Sequence, residues 1–243
     1  MYQNFASKYD ALMTNADYKK RTEYLCSLFS AYGKKPKLLL DLACGTGEFS
    51  VRFAKKGISV IGVDISEDML YIASEKARKN KTDILFLCQD AKDLDLYGTV
   101  DGAICCLDSL NHITDYEDFC KVMAKVSLFL EKDCLFIFDL NTPYKHKNVL
   151  KDNTFVFEQK DIYCVWQNET KGNLTDIALD FFVKSGDTYI KESEYITERA
   201  YTKAEIGSAL KKAGLEILNV LDDMTENPAT AKSERVIYVT RKI

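Results

Sequence analysis

The chain carries two textures of apolar and polar residues. Short apolar runs occupy 37–42, 58–63, 84–88, 100–106 and 134–140, with the length and composition of strands buried on both faces. Between them the apolar residues recur at helical spacing. EFSVRFAKKG closes at Gly57, SEDMLYIASEKARKN opens on Ser66 as a capping hydroxyl, and YEDFCKVMAKVSLFLEK carries an apolar stripe. Each ends in lysine or arginine, the charge that a helix carboxyl terminus favours. This alternation predicts βαβ units around a parallel sheet, an α/β fold.

After residue 150 the period shortens. Residues 155–200 read as antiparallel strands, punctuated by Gly172-Asn173 and Ser185-Gly186-Asp187 at positions suited to hairpin turns. A helix, TKAEIGSALKKAG, a strand at 215–221, a loop around Pro228 and a last strand, ERVIYVTRK, follow. The chain thus divides into an N-terminal helical segment at 1–34, a core made of 35–150 and 200–243, and an antiparallel insert at 151–199.

Composition narrows the function classes. A chain of 243 residues with 47% apolar content suits one α/β domain with an insert. No apolar run reaches the ~18 residues of a membrane span. The opening MYQNFASKYD lacks the basic-then-apolar order of a secretory signal, so a cytoplasmic protein without a membrane partner is expected. A net charge of −4 with both signs interspersed disfavours nucleic acid as main partner. The eight cysteines form no C-x-x-C pair and sit mostly in apolar runs, as reduced packing residues do. Neither His112 nor His146 has a cysteine at ligand spacing, so no metal site is expected.

The chemistry concentrates in LLLDLACGTGEFS, residues 38–50. A glycine turn between strand and helix sets bare amides and a helix N-terminus against a ligand, and dinucleotide sites use it for pyrophosphate. Here the third glycine is missing and two acids, Asp41 and Glu48, flank the turn, where they would repel pyrophosphate. No G-K-[ST] follows to make a P-loop. A cationic nucleoside without phosphates suits such a turn better. S-adenosylmethionine is one, with a sulfonium and an ammonium for the acids and a carboxylate for the amides.

At this point the sequence resembles the class I S-adenosylmethionine-dependent methyltransferases, whose apolar strand ending in D/E-x-x-x-G-x-G matches Asp41 through Gly47. The match continues in order with Asp64 closing ISVIGVD, Asp90 in LCQDAKDL, and AICCLDSLNHI after the fourth strand. The resemblance implies S-adenosylmethionine as cofactor, held by the turn Ala43, Cys44, Gly45, Thr46 and Gly47, with Asp64 on the ribose diol and Ile65 on adenine beside Met69. It further places Asp90 at the adenine amino group, the Ala91 amide at a ring nitrogen, Cys106 and Leu107 along the cofactor, and Tyr9 over it. Taken singly, Asp64 or Asp90 also reads as a capping acid; their shared register with Asp41 joins them. The implied fold is a doubly wound, mostly parallel, seven-stranded Rossmann-like sheet of order 3-2-1-4-5-7-6. Residues 1–34 correspond to a helical lid and 151–199 to an insert over the active site, as in enzymes similar to glycine N-methyltransferase.

Methyl transfer asks the protein for alignment and exclusion of water. A base is needed only where the acceptor starts protonated. Acceptor-side candidates project from the carboxyl ends of the fourth and fifth strands, the lid or the insert: Asn111, His112, Asn141, Tyr144, Tyr9, Tyr18, Trp166 and Arg199. His112, Asn111 and Tyr144 are the catalytic candidates, with His112 as general base because imidazole titrates near neutral pH. A structural histidine and a Trp166 in the insert core are the plainer readings. CLDSLNH lacks the N/D-P-P-Y pattern of enzymes that methylate exocyclic base nitrogens, so a small-molecule acceptor methylated at N or O is expected. Structured RNA as acceptor, an NAD(P)-dependent oxidoreductase and a non-catalytic cofactor-binding regulator stand as alternatives. The cofactor site is expected to form without the insert, since Asp41, Asp64 and Asp90 lie upstream.

Overall fold

The computed structural model describes residues 16–159 and 161–243. Helix α1 (Tyr18–Ala31) leads into β1 (Leu38–Leu42), α2 (Glu48–Lys55), β2 (Ser59–Asp64), α3 (Glu67–Lys79), β3 (Ile84–Cys88), β4 (Val100–Cys105), α4 (Tyr116–Phe129) and β5 (Leu130–Asn141). Short helical turns at Pro143–Lys145 and His146–Leu150 precede β6 (Thr154–Gln159), β7 (Ile162–Lys171), β8 (Leu174–Ser185) and β9 (Thr188–Arg199). Helix α5 (Lys203–Lys212), β10 (Leu215–Asp222) and β11 (Arg235–Lys242) complete the chain.

The main sheet runs β3-β2-β1-β4-β5-β11-β10, with β11 antiparallel to both of its neighbours. Counting core strands alone, this is the expected order 3-2-1-4-5-7-6. Both faces are covered, as a parallel sheet requires. Leu40, Leu42, Phe136 and Phe138 pack toward α4 and α5 through Val122, Val126, Ile206 and Leu210. The alternate residues Leu39, Ile104, Leu135 and Ile137 pack toward α1 and α2 through Leu25, Phe29, Phe49 and Phe53. Each such side chain contributes ~1.5–3 kcal/mol by leaving water. Polar side chains of these strands are therefore confined to strand ends, where Asp41, Asp64, Asp139 and Asn141 emerge.

The cap anticipated at Ser66 is present, and α5 carries one that the sequence reading did not single out. The Ser66 hydroxyl accepts the Met69 amide at 3.3 Å, and Thr202 with Glu205 forms a capping box on α5. Strands β6–β9 make a separate antiparallel sheet in sequence order. Its hairpins turn at Gly172 and Gly186, with φ of 66° and 61°. One face, with Cys164, Ile177, Leu179 and Phe181 buried, packs on Met69 of α3. That contact brings β9 alongside the carboxyl ends of the core strands. All eight cysteines are free. No helix among the described residues is long and apolar enough to cross a membrane.

Candidate cofactor and active site

Between β1 and α2 the backbone enters the left-handed region three times, at Ala43 (φ 55°), Gly45 (φ 53°) and Gly47 (φ 74°). Gly47 is required twice over, since a Cβ there would also lie 2.9 Å from the Ala73 side chain of α3. Asp64 shapes the same turn, one carboxylate oxygen accepting the Gly45 amide at 2.8 Å and the other the Ser66 amide at 2.9 Å. The Ile65 amide bears on the same carboxylate. Burial raises the Asp64 pKa, and the amides oppose it.

Next to this turn lies a cavity of about 870 Å³. Gly45, Asp64, Ile65, Asp90 and Ala91 line one side; His112 and the β9 residues Tyr195, Ile196 and Thr197 also line it. Ile65 is 68% exposed, an apolar side chain offered to whatever fills the space. Asp90 accepts the Lys92 amide at 3.1 Å, while the Lys92 ammonium lies 3.4 Å from Asp90 and 3.2 Å from Asp118. The lining holds six acids, Asp64, Glu67, Asp68, Asp90, Asp115 and Asp118, against one lysine. Such a field suits a cationic nucleoside and opposes a pyrophosphate. The residues thus fit S-adenosylmethionine better than a nicotinamide dinucleotide.

The other residues expected near the cofactor are distributed around this cavity rather than all on its wall. Ala43 and Met69 line it. Asp41, buried below the turn, accepts the Ser50 hydroxyl at 2.5 Å. Burial pushes its carboxyl up to about 7, with the Ser50 hydrogen bond pulling back. Cys44 and Thr46 are buried in the turn, and the Lys76 ammonium donates to the Thr46 hydroxyl at 3.0 Å. Cys106 and Leu107 belong to the α1/α2 side of the sheet, whereas Cys105 reaches the cavity. Tyr9 lies outside the described residues.

Among the catalytic candidates, His112 lines the cavity and is exposed to it. Desolvation by the protein packed around the ring lowers its pKa, with Asp108 and Asp64 opposing, which favours the neutral imidazole and its lone pair. Asn111 is fully buried and engaged: its amide donates to the Asn141 and Arg199 carbonyls at 3.2 and 2.8 Å, and its oxygen accepts the Asn141 amide at 2.9 Å. It pins the insert to β5. Tyr144 sits in the turn after β5 and is not brought to the cavity. Asn141 is buried between Asp108 and Glu198. Arg199 donates to the Thr114 carbonyl at 2.9 Å and to Glu205 at 2.8 Å. Trp166 donates to Asn168 at 2.6 Å and meets Phe155 edge-on at 6.0 Å within the insert. Tyr18 packs edge-on against Phe49 at 5.2 Å. Sequence reasoning missed Tyr195, Ile196 and Thr197: alternation in YITERA marks a strand, but nothing in it says which edge faces the core.

Comparison with known proteins agrees with this geometry. Residues 39–133 match a family model described as a methyltransferase domain. The chain is 34% identical over 245 residues to the candidate methyltransferase YqeM of Bacillus subtilis (strain 168), covering 100% of this chain and 97% of that protein. It superimposes on the crystal structure of an S-adenosylmethionine-dependent methyltransferase from Clostridium acetobutylicum ATCC 824 with a TM-score of 0.91 at 33% identity, over 99% of this chain and 98% of that one. A glycine/sarcosine N-methyltransferase of Parasynechococcus marenigrum (strain WH8102) is 29% identical over 170 residues, 67% of this chain and 57% of that protein.

Proposed function

Because this chain belongs to the S-adenosylmethionine-dependent methyltransferases, we propose that it methylates a nitrogen or oxygen of a small-molecule acceptor. The observation carrying this reading is the cavity itself. Its volume of about 870 Å³ lies within the ordinary range for small-molecule sites, and β9 of the insert closes one wall. The likeness to a glycine/sarcosine N-methyltransferase supports a small acceptor.

Within this reading, the Asp64 carboxylate takes the ribose diol, Ile65 packs on adenine, Asp90 accepts from the adenine amino group, and the Ala91 amide meets a ring nitrogen. The Gly45–Gly47 turn offers amides to the methionine carboxylate. When bound, the cofactor supplies a methyl group on a sulfonium, activated for displacement. The acidic lining favours that cation. Residues 151–199 act as the wall that excludes water from the acceptor; of the expected lid, α1 packs on the sheet as part of the core and lines no part of the cavity. The neutral imidazole of His112 takes the proton that an amine or hydroxyl acceptor loses.

The test is S-adenosylhomocysteine release across a panel of small amines, alcohols and phenols, with folded RNA in parallel. Turnover of a small molecule is expected, and His112→Gln should lower its kcat by ~10²–10⁴ while leaving cofactor affinity unchanged. Turnover confined to RNA would overturn the acceptor class.

A further inference from the structure

Beyond Cys105 the chain must double back to carry Ser109, Leu110 and His112 onto the cavity wall. It does so through two consecutive non-glycine residues in the left-handed region, Leu107 (φ 59°) and Asp108 (φ 53°). L-residues with side chains rarely adopt this conformation, so something around them must hold it.

The holding group is Asp139, on β5 and 4% exposed. Its two oxygens take the two amides of the turn, Leu107 at 2.8 Å and Asp108 at 2.7 Å. The carboxylate is answered by Arg235, first residue of β11, which donates to Asp139 at 2.9 Å and reaches Asp108 at 3.1 Å. Asn141 also donates to Asp108. Two acids, one guanidinium and two backbone amides thus form a closed set around one turn. Packing alone does not ask for it: Leu135 and Ile137, on the same face of β5, are apolar and buried. Arg235 suits the task because its planar fork reaches both acids at once.

We infer that Asp139 and Arg235 are positioning residues for methyl transfer, acting through the Leu107–Asp108 turn to set the His112 side of the cavity. The inference rests on the methyltransferase reading above. Neither residue touches the cavity, and each works through the backbone it holds.

The experiment compares S-adenosylhomocysteine affinity by calorimetry in the wild-type chain, Asp139→Asn, and Asp139→Asn combined with Leu107→Gly, each checked by circular dichroism. Asp139→Asn keeps the shape but sets an amide donor against donors, and should weaken binding tenfold or more. Glycine takes a positive φ without help, so Leu107→Gly in that background should recover most of the loss. A general structural defect would not be rescued by removing a side chain. Equal affinity in Asp139→Asn, or a loss that glycine fails to recover, overturns the role. If Asp139→Asn does not fold, Arg235→Lys keeps the charge, loses the fork, and should weaken binding threefold or more; unchanged affinity there overturns it equally. A wild-type chain that fails to bind overturns the cofactor assignment itself, and the inference with it.

Discussion

The seven-stranded and four-stranded sheets border the same cavity and contribute to it in different ways. The core offers residues fixed by backbone geometry: Gly45 in a left-handed turn, Asp64 holding two amides, Asp90 capping a turn. The insert offers side chains from one strand edge, Tyr195, Ile196 and Thr197. Burial follows the same division. In β1 four consecutive residues are buried, whereas β8 alternates between buried and half-buried positions and Tyr195 of β9 is 78% exposed. A wall that must align a reactive cofactor sits on strands packed from both sides. In the proposed reading the wall toward the acceptor sits on a sheet anchored by one face, where substitutions would alter shape without disturbing the core.

Removing the insert tests that division most severely. Replacing residues 154–199 by a short Gly-Ser linker should abolish turnover, a loss of 10³-fold or more, by opening the cavity to water and freeing the acceptor. S-adenosylhomocysteine affinity should fall about tenfold, ~1.4 kcal/mol. The sequence suggested a cofactor site independent of the insert; β9 on the cavity wall and Met69 in the insert's core make it partly dependent. Retained turnover would erase the distinction between the two walls.

On the core side, Asp64→Ala should weaken S-adenosylhomocysteine binding by ~1.5–3 kcal/mol, the scale of a lost hydrogen bond to a charged group. Asp90→Ala should cost less, because Lys92 lies 3.4 Å from that carboxylate and screens it. Calorimetry that reversed this ranking would move the principal anchor from ribose to adenine.

Why one half of the site was legible and the other was not follows from how far apart its parts lie in sequence. Asp41, Gly45, Gly47, Asp64 and Asp90 each stand at or just past a strand end, where periodicity stops and chemistry begins. One strand–turn–helix unit fixes each of them. The βα alternation and the hairpins were readable for the same reason, being consequences of local period and turn residues, whereas the strand order came only with the family resemblance. The set Asp108, Asp139 and Arg235 joins the turn after β4 to β5 and β11, with a sequence separation of 31 from Asp108 to Asp139 and of 96 from Asp139 to Arg235. Nothing local in IFDLN or SERVI marks the acid and the arginine as partners. Asn111, which reads from sequence as a reacting group, is consumed by long-range backbone contacts to Asn141 and Arg199. The contact to Arg199 also needs the insert in place, 88 positions away in sequence.

The smallest effect separates the two regions by pH. Asp41 in the core and Glu198 in the insert are both buried, and burial pushes each carboxyl up to about 7, opposed at Asp41 by Ser50 and reinforced at Glu198 by Asp108. In the unfolded chain such groups titrate near ~4. Between roughly pH 4 and pH 7 the native state therefore binds the extra proton, and the stability each group contributes is lost as pH rises through that window. His146, held down to about 4 chiefly by burial, acts in the opposite sense below pH ~6.5, so the wild-type profile is a sum. Differences from single variants isolate the terms. Relative to wild type, Asp41→Asn should gain about 1–2 kcal/mol of stability between pH 6 and pH 8 in urea unfolding. Glu198→Gln should gain in the same direction but by less, because its ordinary pKa lies closer to 7 and His146 sits 3.4 Å away. A pH-independent difference for Asp41→Asn would mean that the native protein holds this acid ionised, as a structural anion beneath the glycine turn rather than a protonated group waiting for the cofactor's charge.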